Sequence, residues 1–291
     1  MTNVFLTDLK GFANPVIAAR LTRAGARVIG CDPAILADGK EAGVEAIAWG
    51  APQDLVARAT QRFGGRLDAI VISPAMPAPR TRVEDLGIAE LMPYFERLAA
   101  ESIAFAGAAV KAMRPNKAGR IVFGSSSGPI GGIPGFAAYA AARAAVNGVV
   151  RTLALEVAAD GLSVNAVGAN FIQTETYYPR ALLEDPVKGP RLLARVPMGR
   201  LGEAEEVAAL IELLGDEAGR LPEQHGRLSA LIRATRGLLE ANGHFSERSL
   251  QRVQETLRML GRAVPEQIGY GPGASPVESS MGRGRLVRAA I

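Results

Sequence analysis

Cysteine and histidine are scarce in this chain, and their scarcity excludes several kinds of active site. The 291 residues include one cysteine, Cys31, so neither a disulfide within the chain nor a zinc site built from cysteines is possible. The two histidines, His225 and His244, both lie in the last quarter of the sequence. A Ser-His-Asp site therefore cannot be built from residues 1–220, and any chemistry there works without an imidazole.

Long apolar runs and a signal-like N-terminus are also lacking. No apolar run reaches the roughly 18 residues that a membrane-spanning helix needs. The first residues, MTNVFLTDLKGF, include Asp8 and have no basic region at their start, which is not the pattern of a secretory signal. We therefore expect a cytoplasmic protein with no membrane partner.

Positive charge is too dilute to indicate a nucleic-acid surface. The formal net charge is +4 at pH 7, and the ten arginines and six glutamates of residues 223–291 account for all of it. Residues 1–222 are therefore neutral overall, and we expect no nucleic-acid partner. A hydrophobic content of 48% excludes a wholly disordered chain.

Strand and helix signals alternate over the first 215 residues. The apolar runs predict strands at 3–7, 27–31, 68–73, 120–124 and 163–167, and helical spacing predicts helices at 14–23, 86–113, 137–158 and 203–214. Several of the strands are apolar enough to be buried on both faces. This pattern predicts an α/β fold with a doubly wound, mostly parallel sheet and helices on both faces.

The last 70 residues or so differ in character. Two helical stretches flank the turn signal Asn242-Gly243, and a segment rich in Gly, Pro and Ser follows them. We expect a main domain at 1–219, a helical hairpin at 220–264 and a mobile tail at 265–291. Because no strand is predicted after about residue 167, the hairpin is expected to cover the exposed edge of the sheet.

A serine cluster and a tyrosine–arginine pair are candidates for chemistry. Ser126 lies just after a predicted strand, at the edge where parallel sheets bind ligands. Tyr139 and Arg143 are four residues apart on a helix and share a face. A guanidinium never gives up its proton and favours a neighbouring phenolate, so Tyr139 is a candidate base and the Ser126 hydroxyl a holder of substrate oxygen. The alternative is an aromatic residue at a helix start beside a surface charge.

The spacing Ser-x12-Tyr-x3 on this strand–helix frame resembles the short-chain dehydrogenase/reductase superfamily. Further similar stretches are VNAVGANFIQT at 164–174 and VPMGRLGEAEEVAALIELLGDE at 196–217. The resemblance covers roughly residues 1–217 and implies that the main domain is a Rossmann-like catalytic domain.

Two departures from that superfamily bear on function. Arg143 stands where its dehydrogenases carry lysine, and their glycine-rich loop after the first strand is replaced by TDLKGFAN at 7–14. Glycines there let the backbone approach a pyrophosphate, whereas Phe12 places a ring where the cofactor would lie. Asp32 ends the second strand, where NAD enzymes hold a ribose, but it also fits a turn before Pro33. An NAD(P)-dependent oxidoreductase therefore remains an alternative.

Together the departures resemble the halohydrin dehalogenases, short-chain relatives with Ser-x12-Tyr-x3-Arg and a halide pocket in place of the nucleotide site. Their first loop reads Thr-x4-Phe-x-Gly; here Thr7 and Phe12 match, and Asn14 stands at the glycine. The resemblance implies that Ser126 and Tyr139 bind the hydroxyl of a vicinal halohydrin and that Tyr139 removes its proton. The products are an epoxide, a halide and a proton, and small anions open epoxides in reverse. No metal or organic cofactor is implied.

The same resemblance places the halide site after the sixth strand. The residues it implies there are Phe12, Ala169, Asn170, Phe171, Ile172 and Tyr178, with the halide near Asn170 and walled by Phe12 and Tyr178. Ordinary core packing is the alternative for the three aromatic residues. The implied partners are a small halohydrin or epoxide and a halide or other small anion. A homo-oligomer formed through the long helices at 86–113 and 137–158 is also implied.

A third hypothesis concerns the tail. Residues 226–273 faintly resemble the end of flagellar export chaperones, with paired helices around an Asn-Gly turn and a later Tyr-Gly-Pro. This permits an interaction protein with a vestigial enzyme domain.

Overall fold

The computed structural model describes residues 1–175 and 177–216. Within these ranges one sheet has seven strands: β1 Asn3–Leu6, β2 Arg27–Cys31, β3 Gly39–Glu41, β4 Val44–Ile47, β5 Ala69–Ile72, β6 Gly119–Ser126 and β7 Leu162–Ala169. The strand order is β3-β4-β2-β1-β5-β6-β7, and every neighbouring pair is parallel except β3 with β4. The doubly wound, mostly parallel sheet predicted from the sequence is confirmed.

The α-helices of the described residues are α1 Asn14–Arg23, α2 Pro52–Arg62, α3 Ile88–Tyr94, α4 Glu101–Met113, α5 Gly128–Gly131, α6 Ala137–Val157, α7 Arg180–Glu184, α8 Lys188–Leu193 and α9 Ala204–Asp216. A π-helical segment, Phe95–Ala100, joins α3 to α4, so the predicted long helix is continuous from 88 to 113. Pro93 lies just before this segment and has no backbone N–H to donate. Among the described helices, none is long and apolar enough to cross a membrane.

Helices cover both faces of the sheet. Phe5 packs with the apolar residues of α2, α4 and α6, whereas its neighbours Val4 and Leu6 pack with those of α1 and α9. This alternation follows from the period of two in a strand, and it buries a parallel strand on both sides. Each fully buried residue of this size stabilises the fold by about 1.5–3 kcal/mol.

The sequence analysis missed one strand hairpin and the helices α2, α5, α7 and α8. β3 and β4 pair through the two residues Ala42 and Gly43, whose φ angles of 48° and 77° suit a tight hairpin turn. The strands have three and four residues, too few for alternation to stand out. Helix α2 follows and packs on α4.

The predicted hairpin at 220–264 and tail at 265–291 lie outside the described residues. Among the described residues, β7 is the last strand in sequence and the edge strand of the sheet beyond β6.

Candidate active site

A cavity of about 820 Å³ opens at the carboxyl ends of the central strands. It is bounded by the loop after β1, by the ends of β5, β6 and β7, and by α6 and α8. The strand order reverses between β1 and β5, and ligands of open α/β sheets bind at such a reversal. All nine residues that the sequence analysis named line this cavity: Phe12, Ser126, Tyr139, Arg143, Ala169, Asn170, Phe171, Ile172 and Tyr178.

Ser126 is held at the last position of β6, paired with Ala169 of β7. Its hydroxyl oxygen accepts the Gly128 N–H at 3.0 Å, which leaves the hydroxyl proton available to a ligand. Asn147 of α6 donates to the Ser126 carbonyl at 3.1 Å and accepts the Ser125 hydroxyl at 2.6 Å. The sequence analysis missed Asn147, which lies two turns beyond Tyr139 and positions the end of β6.

Arg143 is buried, with 4% of its surface exposed. Its two terminal nitrogens donate to the carbonyls of Gly124 at 3.0 Å and Pro74 at 2.8 Å. Its guanidinium carbon lies 5.3 Å from the centre of the Tyr139 ring, one helical turn earlier. The pair predicted from the four-residue spacing therefore meets at the cavity, and Arg143 is not a surface charge.

The Arg143 charge is compensated only by dipoles among the described residues. Its described hydrogen bonds go to carbonyls, and no ion pair with a carboxylate is found for it in residues 1–175 and 177–216. Its Nε atom is buried without a hydrogen-bond partner there. A buried cation of this kind favours an anion beside it, either a phenolate or a bound small ion.

Tyr177 is a further residue of the site that the sequence analysis missed. Its ring lies 6.0 Å from the Tyr139 ring and 6.0 Å from the Phe12 ring, and its hydroxyl oxygen accepts the Met76 N–H at 3.3 Å. Burial raises the pKa of Tyr177 above its ordinary value, although the Arg143 guanidinium opposes this shift. Tyr177 is therefore a neutral phenol at pH 7 and can donate a hydrogen bond.

Tyr177 and Tyr178 contact different aromatic residues of the site. The sequence-based expectation named Phe12 and Tyr178 as walls of the halide site; the ring beside Phe12 is that of Tyr177, while the Tyr178 ring lies 5.8 Å from the Phe171 ring. Both tyrosines line the cavity. The two tyrosines are adjacent in the sequence, and nothing in the pair Tyr-Tyr indicates which of the two rings contacts Phe12.

The turn after β7 also differs from the expectation. The exposed Asn170 turns its side-chain oxygen back to accept the Phe171 N–H at 3.0 Å, so that backbone donor is not free for a halide. Phe171 has a φ of 53°, and its carbonyl accepts the Gly202 N–H at 2.8 Å. Ile172 forms a parallel bridge with Gly202, which fixes the turn to the segment before α9.

The loop after β1 is tied down by Asn14. The buried Asn14 amide donates to the carbonyls of Asp8 at 2.8 Å and Ser73 at 2.9 Å, with a longer contact to Thr7 at 3.3 Å. Phe12 has a φ of 47°, and its ring lines the cavity. The loop therefore puts an aromatic ring where a glycine-rich loop would leave space.

The residues present do not fit a dinucleotide well. Asp32, which follows β2, accepts the Lys10 N–H and the Ala34 N–H, both at 2.9 Å, so each of its carboxylate oxygens already holds a local turn. Phe12, two residues before α1, lines the cavity with a bulky ring. Within the described residues, no group of three or more His, Cys, Asp and Glu side chains could hold a metal.

The fold and the Ser–Tyr pair define a Rossmann-like enzyme domain, and comparison with known proteins identifies its family. A sequence model described as "Enoyl-(Acyl carrier protein) reductase" matches residues 10–221. The chain belongs to the short-chain dehydrogenase/reductase superfamily.

Curated relatives are reductases. The 3-oxoacyl-(acyl-carrier-protein) reductases of Salmonella typhimurium and Escherichia coli are 44% and 45% identical to this chain over 113 residues, which are 38% of this chain and 44% of each relative. An acetoacetyl-CoA reductase of Shinella zoogloeoides is 43% identical over 108 residues, 37% of this chain and 44% of that relative. The matches thus span less than half the length of these relatives.

Solved structures with the same fold include dehalogenating enzymes. A structure titled "Dehalogenation enzyme" is 33% identical, has a TM-score of 0.69, and covers 75% of this chain and 92% of its own. A halohydrin dehalogenase bound to ethyl (2S)-oxiran-2-ylacetate also has a TM-score of 0.69, at 21% identity, covering 74% of this chain and 90% of its own. At 21% identity, the likeness to the halohydrin dehalogenase shows only that the fold is shared.

Proposed function

We propose that this protein converts vicinal halohydrins to epoxides without a nicotinamide cofactor. The observation that carries the proposal is the Phe12 ring, which lines the cavity beside Tyr177 in a loop held by Asn14. The buried, carbonyl-bound Arg143 supports it, because a fixed cation without a described carboxylate partner suits a reaction that forms anions. The 33% identical dehalogenation enzyme supports it as well.

In this mechanism the substrate hydroxyl lies between the Ser126 and Tyr139 hydroxyls. Tyr139, as its phenolate beside the Arg143 guanidinium, takes the hydroxyl proton. The substrate oxygen attacks the neighbouring carbon, and the carbon–halogen bond breaks with its electron pair leaving on the halide. The Tyr139 proton then passes to solvent. Halide, epoxide and one proton are the products, so atoms and charge balance.

We place the leaving halide between Phe12 and Tyr177 rather than against Tyr178. The Tyr177 oxygen accepts the Met76 N–H, so its own proton is free to be donated. A neutral donor and an aromatic wall bind a halide weakly, which suits an ion that must be stabilised as it forms and then released.

A second candidate is an NAD(P)-dependent reductase, which is favoured by the names of the curated relatives at 44–45% identity. Tyr139 would then bind the carbonyl oxygen of a ketone substrate instead of a substrate hydroxyl. This candidate requires the loop from Asp8 to Asn14 to admit a pyrophosphate, against the packing of Phe12.

One experiment separates the two candidates. We expect the purified chain to release bromide from 1-bromo-2-propanol, and we expect no saturable binding of NADH or NADPH by titration. Tyr139→Phe should lower the rate of bromide release by about 10²–10⁴-fold, since the positioned base is lost. Tyr94→Phe removes a buried phenol outside the cavity lining and should leave the rate near that of the parent. Micromolar NADH binding with ketone reduction would replace this proposal with the second candidate.

A further inference from the structure

One face of α8 forms part of the cavity wall and is basic. Lys188, Arg191, Leu192 and Arg195 line the cavity, and their spacing of three, four and seven residues puts them on one side of a helical turn. The turn continues past the end of α8, because the Arg195 N–H donates to the Leu192 carbonyl at 3.0 Å. This face therefore presents three cations and one apolar side chain to the cavity.

Aromatic rings of the wall hold two of the cavity's arginines. The Arg195 guanidinium lies 5.7 Å from the centre of the Phe171 ring, and the Arg80 guanidinium lies 5.7 Å from the centre of the Phe136 ring. Such contacts fix a long side chain without neutralising its charge. Both arginines are exposed, so they lie at the mouth of the cavity, whereas Arg143 is buried inside it.

Carboxylates are absent from this wall as far as the structure describes the chain. In residues 1–175 and 177–216, five cations line the cavity and no Asp or Glu does: Arg80, Arg143, Lys188, Arg191 and Arg195. Lys188 has a partner outside the wall, since its amine lies 3.6 Å from the Asp185 carboxylate. Arg191 and Arg195 have no ion pair within those ranges.

The packing of α8 against α7 keeps the basic face in place. Gly189 is buried, and a Cβ atom there would lie 2.3 Å from the Leu183 carbonyl oxygen. Only glycine permits this approach without a shift of the backbone. The Gly189 N–H also donates to the Asp185 carbonyl at 3.0 Å, so the two short helices form one unit beside the cavity.

From this wall we infer that the substrate carries an anionic group, a carboxylate or a phosphate, which Arg191 and Arg195 bind at the cavity mouth while its hydroxyl reaches Ser126 and Tyr139. The inference rests on the proposed function, which makes the hydroxyl the reacting end of the substrate. Guanidinium groups bind carboxylates and phosphates through paired hydrogen bonds. A mouth lined by one sign of charge also attracts an oppositely charged ligand from solution.

A binding experiment tests the inference without any halide release. The probes are 3-hydroxybutanoate, its neutral methyl ester and glycerol phosphate, titrated by calorimetry against the full chain. We expect the acid to bind more tightly than its ester. Arg191→Gln and Arg195→Gln should each weaken binding of the acid about three- to fivefold and leave the ester unchanged. Raising the salt concentration from about 0.02 M to about 0.5 M should also weaken binding of the acid alone, because it screens exposed charges.

Arg23→Gln is the matched control. Arg23 is exposed at the end of α1, outside the cavity lining, and its loss changes the net charge equally. Equal binding of acid and ester, or an equal loss in the Arg23 variant, would overturn the inference. Tighter binding of glycerol phosphate than of 3-hydroxybutanoate, with the same dependence on Arg191, would identify phosphate as the anionic group. None of the probes contains a halogen, so the binding results can be interpreted even if the protein releases no halide.

Discussion

At the scale of single residues, Arg143 dominates the electrostatics of the cavity. Its side chain is almost fully buried and binds the carbonyls of Gly124 and Pro74, so its position is set by the ends of two strands. Its charge lies against the face of the Tyr139 ring. A point charge on a flexible chain cannot make both carbonyl contacts with the same planar geometry, which distinguishes arginine from lysine here.

Substitution of Arg143 should separate its charge from its shape. We expect Arg143→Met to lower kcat/KM for bromide release by about 10²–10³-fold, because the fixed positive charge beside the phenolate is lost. Arg143→Lys retains the charge and should retain more of the activity. Arg151→Met, on the exposed part of the same helix, is the control and should behave as the parent does. Parental activity in Arg143→Met would contradict the role of the guanidinium, with thermal unfolding checking that each variant is folded.

At the scale of elements, the start of α9 shows how a local pattern holds a helix in place. Glu206 accepts the backbone N–H of Glu203 at 2.8 Å and binds the Arg200 guanidinium at 2.9 and 3.0 Å. Residue Glu203 precedes the helix, so the contact is half of a capping box. The helix packs on α1, and Arg20 of α1 forms an ion pair with Glu212.

The Glu206 contacts predict a pH-dependent contribution to stability. The hydrogen bond from Arg200, followed by that from the Glu203 N–H, lowers the pKa of Glu206 from 4.5 to about 2. A lowered folded-state pKa means that the contribution is complete above pH 4.5 and is lost as the pH falls towards about 2. Glu206→Gln should therefore be less stable than the parent at neutral pH. Urea unfolding should show that the difference in unfolding free energy between the two proteins shrinks as the pH falls from 4.5 towards about 2. Glu205→Gln, in the same helical turn, is the control; an equal pH dependence in both variants would contradict the assignment.

At the scale of the whole molecule, the long helices leave large apolar side chains exposed. Leu155 of α6 is 83% exposed and Ile103 of α4 is 43% exposed. Exposed residues of this kind are ordinary when isolated, but a pair of long helices is also where the family resemblance implies contact between copies. The homo-oligomer therefore remains a prediction, which substitution of these side chains can test.

A charge on the long helices should disrupt such an oligomer. We expect Leu155→Asp to shift the purified protein towards a monomer in size-exclusion chromatography with light scattering, because burying an unpaired carboxylate in an interface is costly. Leu36→Asp is matched to it, since Leu36 is 86% exposed on the segment between β2 and β3. The same mass for the parent, Leu155→Asp and Leu36→Asp would remove the predicted interface from α6.

The amino-acid sequence by itself determined the sheet and the local part of the site. Alternating apolar runs and helical periods depend on neighbours in the chain, which is why β1, β2, β5, β6 and β7 were predictable while the short β3–β4 hairpin was not. Ser126, Tyr139 and Arg143 belong to one strand and the helix that follows it, so their spacing alone indicated that they share a cavity.

Only the tertiary structure decided which aromatic rings of the site contact each other. Tyr177 rather than Tyr178 lies beside Phe12 because its hydroxyl is anchored to the Met76 N–H, about a hundred residues away in the chain. The same holds for Asn170, whose side chain closes its own turn, and for the basic face of α8, which reaches the cavity through the close contact at Gly189. These arrangements come from contacts between distant segments, and no periodicity or spacing within one segment encodes them.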